Sequence, residues 1–229
     1  MMQVVITGAN RGIGLALTKL YSAAGCDVAA CCRNPDDANA LHALMDSHEG
    51  LELFELDVSS SDAIASLGEA LHGRPIHRLI NNAGYYGPRG VMLGNTPEDE
   101  WQQLFAINCI GPLKLVEALT EGLCQGQGII ANLTSKMGSM ADNGSGGAYL
   151  YRSAKAAQNA VTKSLAIDLA PFNVKAVALH PGWVQTDMGG PGALIDTDTS
   201  AQGLYRVIEG LSTAQSGGFF DYQGNTIPW

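Results

Sequence analysis

The chain has 229 residues, 46% of them hydrophobic and only 15% charged, which suits one large domain or two small ones and excludes a disordered chain. A formal charge of −9 excludes nucleic acid as a general partner, although a local positive site can still hold a phosphate. Five cysteines without a C-x-x-C pair point to thiols in a reducing compartment, and five histidines without ligand spacing argue against a metal site.

In chain order, QVVIT (3–7) reads as a first strand, and TGANRGIG (7–14) follows it and opens a helix over 12–24. In that turn Gly8, Gly12 and Gly14 allow a tight bend, close approach of a phosphate and close helix packing. DVAACC (27–32) is a second strand ending at Cys32 and Arg33, followed by a helical pattern over 36–48. LELFELDV (51–58) is a third strand, after which Asp57 can cap the helix expected over 60–71. HRLINNA (77–83) is a fourth strand and runs into NNAG (81–84), where a bulky side chain at Ala83 or Gly84 would block a close backbone approach.

Thr96, Pro97 and the acids after them open a long helix, about 97–124. Asn108 falls in its middle, where Asn is a poor helix former; it marks either a functional group or a kink. GIIANLT (128–134) is a fifth strand and leads into NLTSKMG (132–138). The Ala- and Leu-rich stretch 149–170 is a second long helix, closed by Pro171, on which Tyr151 and Lys155 share a face. VKAVALH (174–180) is a sixth strand and continues into HPGWVQT (180–186). Residues 184–199 break the pattern and read as either a plain linker or a lid over a site, long irregular loops being uncommon unless functional. A short helix at 200–212 precedes a seventh strand within GGFFDYQGNTIPW (217–229).

The strands are apolar on both faces, as in a parallel sheet covered by helices on two sides with right-handed crossovers. No run of about 18 apolar residues occurs, so no membrane span is expected. The start is strand-like with no leader pattern, and a cytoplasmic location is the expectation.

The glycine spacing T-G-x-x-x-G-x-G resembles that of the short-chain dehydrogenase/reductase family. NNAG, N-L-T-S-x-x-G, Y-x-x-x-K and P-G-x-V-x-T follow in the family's order across essentially the whole chain. The compact length and the ending look most like the C-factor/sniffer-type carbonyl reductase branch. The resemblance implies one α/β domain over 1–229, a Rossmann-type doubly wound parallel sheet of about seven strands.

It also implies roles for named residues. Gly8, Asn10, Arg11, Gly12, Ile13 and Gly14 would face the cofactor's phosphates. Asp57 and Val58 would contact adenine, with Asn82, Ala83 and Gly84 beside the cofactor. Pro181, Gly182, Val184 and Thr186 would border the nicotinamide, Thr186 bonding its carboxamide. Tyr151 would be the general acid, Ser135 would orient the substrate oxygen, Lys155 would lower the Tyr151 pKa and grip the ribose, and Asn108 would hold a relay water. Ser139 is a weaker alternative to Ser135, which has the strand-end position.

Where an NAD enzyme carries a ribose-binding acid at the end of its second strand, this chain has Cys32 and then Arg33. Arg33, with Arg11 as a second candidate, can pair with a 2′-phosphate, so NADP(H) is expected over NAD(H). The expected activity is NADPH-dependent reduction of a carbonyl to an alcohol, or the reverse. The alternative is a sensor or signalling protein that binds NADP(H) on the same fold. Tyr85, Tyr86, Met140, Trp183 and Met188 either line an apolar substrate pocket or pack loops. The two long helices could pair copies into a homodimer or homotetramer, or could simply cover the sheet of a monomer.

Overall fold

The computed structural model describes residues 1–229. Seven strands, β1 (Gln3–Thr7), β2 (Asp27–Cys32), β3 (Leu51–Glu55), β4 (Arg78–Asn81), β5 (Ile129–Leu133), β6 (Lys175–His180) and β7 (Phe219–Asp221), form one parallel sheet in the order 3-2-1-4-5-6-7. This is the doubly wound Rossmann-type architecture expected from the sequence. The order reverses between β1 and β4, so the crevice at the carboxyl ends of those strands is the place where a ligand binds in such sheets.

Seven helices cover the two faces: α1 (Gly12–Ala23), α2 (Asn39–Met45), α3 (Ser61–Ala70), α4 (Glu98–Phe105), α5 (Gly111–Gly126), α6 (Tyr149–Asp168) and α7 (Thr197–Glu209). Because strand side chains alternate, each strand feeds two cores. Val4 and Ile6 join Leu17, Tyr21 and Leu204 beneath α1 and α7, whereas Val5 joins Leu67, Leu115 and Leu165 beneath α3, α5 and α6. That two-sided burial explains why the strands read as continuous apolar runs. No helix is long and apolar enough to cross a membrane.

The element ends differ from expectation where polar side chains intervene. β3 stops at Glu55, and Asp57 instead makes a turn by accepting from the Ser59 amide and hydroxyl at 2.8 and 2.6 Å. The helix expected over 36–48 is a 3₁₀ turn at Pro35–Asp37 followed by the short α2. The last helix starts earlier than 200, because Asp196 caps it by accepting from the Thr199 amide at 2.7 Å. The long helix through Asn108 is interrupted by a π-helical turn, Ala106–Ile110, between α4 and α5.

Candidate active site

The glycine turn between β1 and α1 is built by steric necessity. Gly8 and Gly12 have φ of +64° and +54°, a left-handed region that favours glycine. A Cβ on Gly14 would sit 2.1 Å from the Gly8 carbonyl oxygen, so only glycine lets the helix start against the turn. The N-cap, Arg11, makes no side-chain cap bond, and the first turn holds no acid. The Gly12 and Ile13 amides find no acceptor within the chain. Those N–H groups and the helix dipole make a site for an anion.

Thr7 and Asn82 hold this turn to the end of β4. The Thr7 hydroxyl accepts from the Asn82 and Ala83 amides at 3.0 and 2.9 Å. In return the Asn82 side-chain amide donates to the Thr7 and Gly8 carbonyls at 2.8 and 3.1 Å. Asn82 therefore shapes the cradle with its side chain, a use that the sequence reading did not foresee. Thr7 was not singled out at all, because a threonine closing a strand has no distinctive sequence signal.

At the far end of the cradle, Cys32 is buried and Arg33 is exposed. Arg33 enters no ion pair. Two hydrogen bonds from Ser59, and more weakly the charge of Arg33, hold the Asp57 carboxyl below the usual carboxylate range. Val58 is buried beside it. The other basic candidate, Arg11, is engaged differently: its guanidinium pairs with Asp187 across the crevice.

Near the carboxyl ends of β4 and β5 the second group of residues converges. Ser135 follows β5 and caps a 3₁₀ turn, Lys136–Gly138, its hydroxyl accepting from the Met137 amide at 3.1 Å. A Cβ on Gly138 would lie 2.8 Å from the Lys155 carbonyl carbon, so this glycine lets the turn lie flat on α6. Ser135 thereby stands near enough to the Tyr151 phenol to lower its pKa. Ser139 is tied elsewhere, donating to the Pro228 carbonyl at 2.5 Å, which separates the two serines as the sequence could not.

Tyr151 is 7% exposed, and the Tyr86 ring packs on it at a centroid distance of 4.6 Å. Burial pushes its phenol up to about 12; the nearby Ser135 hydroxyl opposes that rise, and Tyr86 adds to it. Lys155 is 3% exposed and donates to the Leu133 carbonyl at 2.8 Å and to Gln158 Oε1 at 3.0 Å. Its desolvation brings the ammonium down to about 7. Burial thus dominates the Tyr151 pKa, while the Lys155 N–H groups are turned toward Leu133 and Gln158.

Asn108 sits fully buried on the π turn, a feature frequent at functional sites. Its side chain spans the Tyr85 backbone, Nδ2 donating to the carbonyl at 2.7 Å and Oδ1 accepting from the amide at 3.0 Å. A Cβ on Gly84 would lie 3.1 Å from Asn108 Oδ1 and 3.8 Å from Lys155 Nζ, which draws NNAG, the π turn and α6 together.

The stretch 184–199 is more ordered than its composition suggests. Val184 and Ile195 form a β-bridge, the Gln185 amide donates to the Ile195 carbonyl at 2.9 Å, and residues from Thr197 onward belong to α7. The Thr186 hydroxyl accepts from the Gly189 amide at 3.1 Å, and its methyl lies 3.3 Å from the Cβ position of Gly12. Pro181 accepts at its carbonyl from Ser200 at 2.6 Å, and Gly182, at φ +88°, leaves room for Ile195. The loop is held across the crevice by Arg11 to Asp187 and by Arg89, which donates to the Met188 carbonyl at 2.8 Å. Of the apolar candidates, Tyr86 borders Tyr151, whereas the Tyr85 hydroxyl donates to Glu100 at 3.0 Å. Trp183 donates to the Gly189 carbonyl at 2.9 Å, and Met140 is 77% exposed on the rim.

A family model described as short chain dehydrogenase matches residues 2–192. The C-signal protein of Myxococcus xanthus is 48% identical over 156 residues, 68% of this chain and 93% of that protein. Among solved structures, the carbonyl reductase Sniffer of D. melanogaster superposes with a TM-score of 0.93 at 33% identity over 100% of both chains. An NADPH-bound carbonyl reductase from chicken fatty liver gives a TM-score of 0.91 at 33% identity, covering 100% of this chain and 99% of that one.

Proposed function

The chain belongs to the short-chain dehydrogenase/reductase family, and on that premise we propose that it is an NADP(H)-dependent carbonyl reductase with Tyr151 as its general acid. The observation that carries this reading is the convergence of Ser135, Tyr151 and Lys155 beside a glycine cradle at the sheet's switch point.

The residues fit a dinucleotide phosphate. Free amides at the start of α1 suit the pyrophosphate. Cys32 offers no carboxylate to repel a 2′-phosphate, and the unpaired Arg33 guanidinium can receive one. The chicken carbonyl reductase, structurally similar along its length, holds NADPH. Asn10, Gly84, Val184 and Thr186 complete the wall along which the cofactor would lie. The chemistry supplied by a bound nicotinamide is hydride donation to the carbonyl carbon.

The protein's own part is to manage the oxygen. The Ser135 hydroxyl orients the carbonyl by hydrogen bonding and shares the developing charge. Tyr151 keeps its proton across neutral pH and releases it to the alkoxide, a stronger base than phenolate. The Lys155 ammonium stabilises the phenolate left behind, and Asn108 fixes the loop that carries Tyr86 over the site. Tyr86 and the exposed apolar rim favour an apolar or aromatic carbonyl compound.

The test is NADPH consumption, with NADH in parallel, across aldehydes, ketones, quinones and diketones, with Tyr151→Phe as control. Turnover that persists in the variant would sink the assignment of the acid. The similarity to C-signal favours a second reading, NADP(H)-dependent signalling on the same site. Tight NADPH binding with no turnover of any compound would favour that one.

A further inference from the structure

Gln158 stands three residues after Lys155 on α6, and the two side chains meet inside the protein. Gln158 is 1% exposed, at a position where packing alone calls for an apolar residue. A buried amide needs a polar reason to be there. Here its oxygen, at 3.0 Å, is the one side-chain acceptor that the Lys155 ammonium finds; the other acceptor is the Leu133 carbonyl.

No carboxylate lies against this ammonium. The titratable groups that face it are the Tyr151 phenol of its own helix and the Cys109 thiol of the π turn. From the 3₁₀ turn, Lys136 is drawn outward to Asp142, and from α4, Glu100 is engaged by the Tyr85 hydroxyl. In β6, Lys175 donates to the Leu211 carbonyl and His180 lies toward Asp221; β5 carries no charged residue. The backbone of Gln158 is itself anchored. Its carbonyl accepts from the Thr162 hydroxyl at 2.8 Å, which accepts from Asn132 Nδ2 at 2.8 Å, and Asn132 Oδ1 accepts from Asn81 at 2.8 Å. This relay of buried polar groups ties α6 to the two central strands.

Resting on the reductase reading above, we propose that Gln158 is a positioning residue for Lys155, its carboxamide oxygen fixing the ammonium in place and supporting its charge. With Leu133 and Gln158 taking two N–H groups, the third is left for the reaction side. A buried ammonium without a counter-ion tends to lose its proton, and a hydrogen bond to the charged form opposes that loss. Gln158 thus sets the pH up to which Lys155 keeps its charge.

The experiment follows Lys155 directly in the full chain labelled with ¹³Cε,¹⁵Nζ-lysine, by NMR titration without added nucleotide. The Lys155 signal is assigned by its loss in Lys155→Met. In the near-isosteric Gln158→Met the Lys155 midpoint is expected to fall by roughly one to two pH units, the size of a charge-assisted hydrogen bond. In Gln158→Glu it is expected to rise. The limb of kcat/KM on which Lys155 loses its proton should move in the same directions. A midpoint unmoved in a cooperatively folding Gln158→Met, or unmoved in Gln158→Glu should the first variant not fold, overturns the proposal. Should Lys155 shift while no carbonyl compound is reduced, the positioning stands and the reductase reading falls. Reduction with an unmoved pH profile in both variants removes the positioning role and leaves the reductase.

Discussion

The Lys155 ammonium lies 5.9 Å from the centre of the Tyr151 ring, one helical turn along α6, with no carboxylate between them. Removing the phenol hydroxyl while keeping the ring isolates the proton transfer from packing. Tyr151→Phe is expected to lower kcat by about 10²- to 10⁴-fold. NADPH affinity, followed by nucleotide fluorescence, should change little, since the ring still packs on Tyr86. Loss of binding together with turnover would mean that the hydroxyl serves the cofactor rather than the substrate.

Lys155 also links stability to pH. Its ammonium falls from the usual lysine range to about 7 on folding. Between that value and the unfolded one the unfolded chain binds more protons, so this group's contribution to stability rises with pH there. The cost of burying the charge is complete below pH about 7 and fades above it. Lys155→Met should therefore gain most in Tm, relative to wild type, near pH 6, with the gain shrinking by pH 9. Calorimetry of both proteins across that range gives the answer, and a difference that stays flat with pH would remove Lys155 as the group responsible.

The choice of cofactor rests on Arg33. In Arg33→Asp a carboxylate replaces the unpaired guanidinium at the end of β2. The KM for NADPH is expected to rise by about 10- to 100-fold, the size of a charge-assisted pair lost and a repulsion added. The KM for NADH should stay level or fall. Equal effects on both nucleotides would show that Arg33 acts on a feature they share.

Two substitutions probe the cradle itself. Gly14→Ala places a methyl 2.1 Å from the Gly8 carbonyl oxygen, so the backbone has to move. About 1–3 kcal/mol of stability should be lost, a fall in Tm of several degrees for a chain of this size.

Thr7→Val keeps the shape but leaves the Asn82 and Ala83 amides without their acceptor. On the order of 1 kcal/mol should be lost for each of these partly buried amides left unpaired, read as a shift in urea midpoint at constant slope. An unchanged midpoint would mean that water replaces the hydroxyl.

What could be read in the chain itself depended on local rules. Strand and helix order, the glycine turn and the Tyr151–Lys155 pairing all follow from interactions within a few residues. Element ends were less legible, as at β3 and α2, because Asp57 and Pro35 make turns whose competition with strand or helix is settled by their neighbours. The π turn at Asn108 had only a faint signal, a poor helix former in a long helix, since its extra residue is accommodated by the packing of α4, α5 and α6 around it.

Tertiary structure alone decided which groups share a charge environment. Asn82 turned out to be a brace for the glycine turn, Arg11 a clasp on the loop at Asp187, and Ser139 an anchor for the carboxyl end. The sequence determined that Tyr151 and Lys155 lie one turn apart. It could not show that burial lifts the phenol to about 12, brings the ammonium down to about 7 and gives Gln158 the task of holding it. Helical spacing is a property of the local backbone, whereas desolvation is set by everything that folds over a side chain, most of it far away in sequence.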